Sequence, residues 1–191
     1  MSKYDQPEIL CLPLTVFITE IREQAAAIRA YDNTFLDRVT DNVFLQRAYT
    51  SMWRELLSEI SRTFDNANTG SNENCTISRL KDLCLKEQYT KLFPDGEKDN
   101  LLQALDEVLE SYRQLPIRTS RNKQLSHHDI KQLFEGEAIA ISLEQVEGLI
   151  ANTTDIFAKI YTRLCCEVFD ITFPDYDVLV ETFERELKQL V

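Results

Sequence analysis

Residues 142–168 read SLEQVEGLIANTTDIFAKIYTRLCCEV, and this stretch decides the fold class. Ser142 followed three residues later by Gln145 is a capping box: the serine side chain takes the Gln145 amide while the glutamine side chain reaches back to the serine amide. Behind the box, Val146, Leu149, Ile150, Thr153, Ile156, Phe157, Ile160, Leu164 and Val168 step by three and four. That spacing lays one apolar stripe along a long helix.

The same period recurs on both sides. Toward the C-terminus, Pro174 ends the region and Asp175 can cap a final helix, about 175–190, carrying Leu179, Phe183, Leu187 and Leu190. Toward the N-terminus, Leu101, Leu102, Leu105, Val108, Leu109 and Tyr112 define a helix as far as Leu115, set off by a Pro94-Asp95-Gly96 turn. Leu80, Leu83 and Cys84 make a short stripe after Thr76, and Asp65 to Asn74, rich in Asn, Thr, Ser and Gly, is expected to be an exposed loop. Phe44, Ala48, Trp53, Leu56, Leu57, Ile60 and Phe64 follow a Thr40-Asp41-Asn42 start signal and predict a helix whose aromatics lie in the core. Phe17, Ile21, Gln24, Ala25 and Ile28 predict the first helix, from about Leu14 to Ala30. The expected fold is an all-α helical bundle of about five to six helices in one domain, 1–191, with its core over about 14–168.

Composition agrees. Among 191 residues there are only 4 glycines and 5 prolines, which disfavours both a loop-rich β fold and a Gly-rich phosphate cradle. The chain is long enough to bury a core without metal or disulfide staples, so no cofactor and no structural metal are expected. The 5 cysteines lack zinc-ligand spacing and follow an N-terminus without a secretory pattern, so reduced thiols and a cytoplasmic location are expected. No apolar run approaches the roughly 18 residues of a membrane span. Cys165-Cys166 is read as core packing, and Asp106-Glu107 with Glu110 as a solvated face.

A net charge of −11 argues against indiscriminate binding to nucleic acid. The charge is uneven, however. From Arg113 to Lys131, Arg113, Arg118, Arg121, Lys123 and Lys131 face Asp129 alone among the acids, and both histidines of the chain, His127 and His128, lie inside this island. Histidine exchanges protons near neutral pH, and arginine presents a permanent charged fork to phosphate oxygens. Together they suit attack by an RNA 2′-hydroxyl on its own phosphate, a reaction that requires no metal. Asn122 can orient a phosphate or an imidazole, and Asp129 can hold a histidine tautomer.

On one ideal helix, Arg121 and His128 would lie within about 20° of each other and His127 about 120° away. A bend between them reverses that preference, so spacing leaves the acting histidine open. Adjacent histidines diverge by about 100° and cannot flank one bond, so a two-fold dimer sharing a cleft is expected. The same pattern also describes a solvated helix face or a surface ion pair.

Arg121-Asn122 and His127, with five residues between, resemble the motif of the HEPN superfamily (higher eukaryotes and prokaryotes nucleotide-binding), closest to its abortive-infection AbiU-like branch. Ribonuclease members carry Arg, usually a polar residue, and His after four to six intervening positions. His128 fits that allowance too, but Ser126 stands where the family often has a small residue before its histidine, and so favours His127. The Trp53 helix, the loop from Phe64-Asp65 to Thr76-Ile77-Ser78 and the helix after Ser142 extend the resemblance over Leu14 to Val168. It implies a helical bundle, dimerisation through the motif region, and metal-independent RNA cleavage leaving a 2′,3′-cyclic phosphate, often in toxin-antitoxin or antiphage systems where an antitoxin protein is the partner. Two other function classes fit the chain: a non-catalytic helical module that binds a protein partner or a nucleotide, and an acidic immunity-type protein that masks a basic one.

Overall fold

The computed structural model describes residues 6–39, 42–69, 72–117, 141–165 and 172–189, the side chains of 36–39 and 72 excepted. These residues form an all-α structure: α1 (Pro7–Val39), α2 (Val43–Phe64), a hairpin of β1 (Asn68–Thr69) and β2 (Asn72–Glu73), α3 (Ile77–Cys84), α4 (Glu87–Thr90), α5 (Glu97–Gln114), α6 (Leu143–Leu164) and α7 (Tyr176–Gln189). Two compact units divide the chain, the divisions falling inside α1 after Ile18, inside α2 after Ser61 and inside α6 after Glu147.

In the first unit (1–18, 62–115, 148–172) the expected α6 stripe is dry, with Phe157 and Ile160 fully buried and Leu149, Ile150, Thr153, Ile156 and Leu164 nearly so. α3 packs on α5, burying Leu80 and Leu83 on one side and Leu105 and Val108 on the other. Phe64 stacks on Tyr112 with ring centroids 4.9 Å apart. Thr76 caps α3 by accepting from the Arg79 amide. Gly96 opens α5 at φ 76°, a left-handed conformation that favours glycine, with the Glu97 amide bonded to Pro94 O at 3.1 Å. Asp106, Glu107 and Glu110 lie on an exposed face, where Asp106 pairs with Lys81 and Glu110 with Arg113.

In the second unit (19–61, 116–147, 173–191) α7 lays Val180 on Ala26 and Ala30 of α1, flanked by Tyr176, Leu179, Phe183 and Leu187. The small alanines admit the helix closely. Asp175 caps α7 by accepting from the Asp177 and Val178 amides, and Asn42 caps α2 by accepting from those of Phe44 and Leu45.

Three expectations are corrected. α1 begins at Pro7 and runs to Val39, beyond the expected Leu14 to Ala30. Pro13 removes a single backbone donor, and burial of Leu10 and Cys11 ahead of it, with Tyr31 and Phe35 behind, offsets that loss. Phe44, expected in the core, is 77% exposed, because the first turn of α2 projects past the buried stripe that begins at Leu56. The loop from Asp65 to Asn74 contains the hairpin, whose ends Asn74 ties together through Asn66 O and Thr69 Oγ1. Val168, Cys166 and Leu190 lie outside the described residues.

Candidate functional site

Arg121, Asn122, His127, His128 and Asp129 all fall within 118–140, outside the described residues. What the structure provides is the chain on either side. Before the segment, the Leu115 amide closes α5 on Ser111 O and Ile117 is fully buried. After it, the capping box forms as the sequence predicts: Gln145 N donates to Ser142 Oγ at 3.2 Å and Ser142 N donates to Gln145 Oε1 at 3.1 Å. The start of α6 is therefore fixed at Ser142, thirteen residues after Asp129 in the sequence.

A polar network holds that start against the rest of the second unit. Arg29 of α1 donates through Nε to Glu147 Oε1 at 2.9 Å, through Nη2 to Glu147 Oε2, and through Nη2 to Glu144 Oε1 at 3.0 Å. The Tyr176 hydroxyl of α7 donates to the same Glu147 Oε1 at 2.7 Å. Glu147 thus ties one helix from each of three stretches of chain. The hydrogen bond to Glu147 raises the Arg29 pKa most, against a smaller lowering by burial. Burial raises the Tyr176 pKa, with the Glu147 bond adding to it. Backbone hydrogen bonding first, then Arg29, holds Glu144 below its usual range. Arg22, one heptad before Arg29, reaches Pro174 O at 2.5 Å and covers the Phe173 and Tyr176 rings.

Beside this network, Tyr49 meets Trp53 edge-on with ring centroids 6.4 Å apart, and its hydroxyl acts on the Asp32 carboxylate. Burial pushes the Asp32 pKa up, opposed by the Tyr49 bond and by Arg29. Asp32 Oδ1 has no hydrogen-bond partner among the described residues. Chemically the cluster can hold the α6 start rigidly and can keep a proton on Asp32 at a higher pH than an exposed aspartate would.

Sequence reasoning did not find these residues. The heptad spacing of Arg22 and Arg29 beside an apolar stripe, and the pairing of Glu144 with Glu147 on one face, mark each half. Nothing in the sequence joins halves more than a hundred residues apart.

Cys11, Cys75, Cys84 and Cys165 are free thiols. Cys11 and Cys165, both in the first unit, are hydrogen-bonded to each other; this bond, then burial, raises the Cys11 pKa. Among the described residues no group of His, Cys, Asp and Glu is placed to hold a metal ion, and no helix is long and apolar enough to cross a membrane.

The family model HEPN_AbiU2, described as AbiU2, matches residues 15–190. No curated protein and no solved structure matches the chain.

Proposed function

Because the chain belongs to the AbiU2 family of HEPN domains, we propose that it is a metal-independent endoribonuclease acting in abortive infection or as a toxin. The observation that carries this reading is the Arg121-Asn122 and His127 spacing inside the one basic island of an acidic chain. His127 takes the proton of an RNA 2′-hydroxyl, whose oxygen bonds to the adjacent phosphorus. Arg121 stabilises the charge that accumulates on the phosphorane oxygens. The bond from phosphorus to the 5′-oxygen then breaks, that oxygen is protonated, and a 2′,3′-cyclic phosphate remains. Asn122 orients the phosphate, and His128 assists from its own chain or from the partner copy across a two-fold cleft. The capping box at Ser142 and the Arg29 network support this reading by giving the motif segment a fixed exit. RNA is the substrate, a second copy completes the site, and a cognate antitoxin restrains it in the cytoplasm.

The test is cleavage of RNA in the presence of chelator by the wild type, Arg121→Ala, His127→Ala and His128→Ala. Loss of about a hundredfold or more in the first two variants is expected, the usual scale for removing an acid-base group or a charge-stabilising donor. Equal activity in all four preparations overturns the site, and a monomer at micromolar concentration overturns the shared cleft. A harmless, RNA-inert protein that binds a nucleotide or a partner would instead identify the non-catalytic module.

A further inference from the structure

The second unit contains an open groove of about 680 Å³. Tyr31 and Phe35 form its floor, Ala48 and Met52 one wall, and Phe183 and Leu187 the other. Phe44 lines the groove yet is 77% exposed, and its neighbour Val43, outside the groove, is 65% exposed, so the apolar surface continues beyond the concavity. Large apolar residues that extend a groove onto the open surface suit a macromolecular partner better than an enclosed small ligand. From Phe44 to Met52 the α2 wall runs about 12 Å, long enough for side chains at i, i+4 and i+7 of a docked helix, which span about 10.5 Å.

The charge at its edges selects the partner. Turning α2 at about 100° per residue places Glu55 within about 20° of Ala48 and about 60° of Met52, while Arg47 and Arg54 are turned at least about 100° from both. On α7 the same rotation puts Glu186 about 60° from Phe183, with Arg185 and Lys188 at least about 100° from Phe183 and Leu187. Glu55 and Glu186 are both exposed. On α2 and α7 carboxylates therefore flank both walls, while Arg54, Arg185 and Lys188 turn away and Arg47 lies about 60° from Phe44 at one end. A second copy docking through this same face would set these carboxylates against one another.

We propose that this groove is the docking site for an amphipathic helix of another protein, one that carries three large apolar side chains at i, i+4 and i+7 flanked by Lys or Arg. Such a helix buries Phe44 and pairs its flanks with Glu55 and Glu186.

The experiment uses the full chain and three synthetic helical peptides, titrated calorimetrically at physiological salt. One has a Leu stripe with Lys elsewhere, one the same stripe with Glu elsewhere, and one the Lys composition with the stripe scrambled. The Lys-stripe peptide alone is expected to bind. Its affinity falls at least tenfold with Ala48→Trp, which fills the groove without changing charge, with Phe44→Ser at an exposed position, and with Glu55→Lys plus Glu186→Lys. The charge control Glu107→Lys on α5 leaves it unchanged. Binding unaffected by the groove variants, equal binding of the scrambled or acidic peptide, or no binding of any peptide overturns the proposal. A wild-type dimer that Phe44→Ser dissolves assigns the groove to a second copy, and a co-purified apolar compound assigns it to a small ligand. Either result overturns it.

Discussion

Replacing Arg29 with Met keeps the side-chain stem packed and removes only the guanidinium. Glu147, with 20% of its side chain exposed, loses two of its three polar contacts and keeps only the Tyr176 hydroxyl. Glu144, 70% exposed, recovers its hydration. Breaking a fully buried ion pair costs about 3–5 kcal/mol and an exposed one about 0.2–1. A bidentate pair with Arg29 at 26% exposure lies between, and after discounting for solvent we expect about 2 kcal/mol for Arg29→Met. For a chain of this size that corresponds to a fall in Tm of about 4–8 °C, read by circular dichroism. A double-mutant cycle apportions the loss: Arg29 with Glu147→Gln should couple strongly, and Arg29 with Glu144→Gln should not couple measurably. An unchanged Tm in Arg29→Met, or equal coupling to both glutamates, refutes the reasoning that Glu147 is the joint.

Asp32→Asn should raise Tm at pH 7. Burial lifts the folded-state pKa of Asp32, so the folded chain holds that proton more tightly and stability falls as pH rises from the ordinary aspartate value through the lifted one. Asn keeps an acceptor for Tyr49 and removes the slope; an equal loss of Tm at pH 4 and pH 7 would contradict this. Ser142→Ala should cost about 1 kcal/mol and Ser142→Gly only a few tenths, measured by urea denaturation, since glycine tolerates the cap position. Burial pushes the Cys84 thiol up to about 12 and Cys75 to about 11. Alkylation mapped by mass spectrometry at neutral pH should therefore find Cys84 roughly a thousandfold slower in the native protein than in denaturant; matching rates would show that it is not buried.

Elements defined by local chemistry were legible in the sequence. The capping box, the α6 stripe, the Asp175 cap and the Gly96 turn each depend on residues within a few positions of one another, and each forms as read. Local sequence does not distinguish Pro13, which costs one hydrogen bond inside α1, from a proline that ends a helix, so the start of α1 at Pro7 had no local signature. Phe44 misled because periodicity gives the direction of a side chain without saying whether another element meets it there. The Arg29, Glu147 and Tyr176 joint depends on tertiary contact between distant stretches and has no local signature. Of the candidate site, the motif was legible as chemistry alone: spacing left His127 and His128 open, and preference for His127 comes from the family pattern around Ser126.

The central claim is tested most directly by the chemistry of the cut itself. Purified protein is incubated, in chelator, with an RNA it cleaves and with the same strand carrying 2′-deoxyribose at the cleavage position, and product ends are identified by mass spectrometry. Cleavage of the all-RNA strand to a 2′,3′-cyclic phosphate, none of the deoxy-substituted strand, and loss of both product and growth arrest in His127→Ala are the predicted results. Cleavage of the deoxy-substituted strand, or cyclic phosphate produced equally by His127→Ala, would contradict the account.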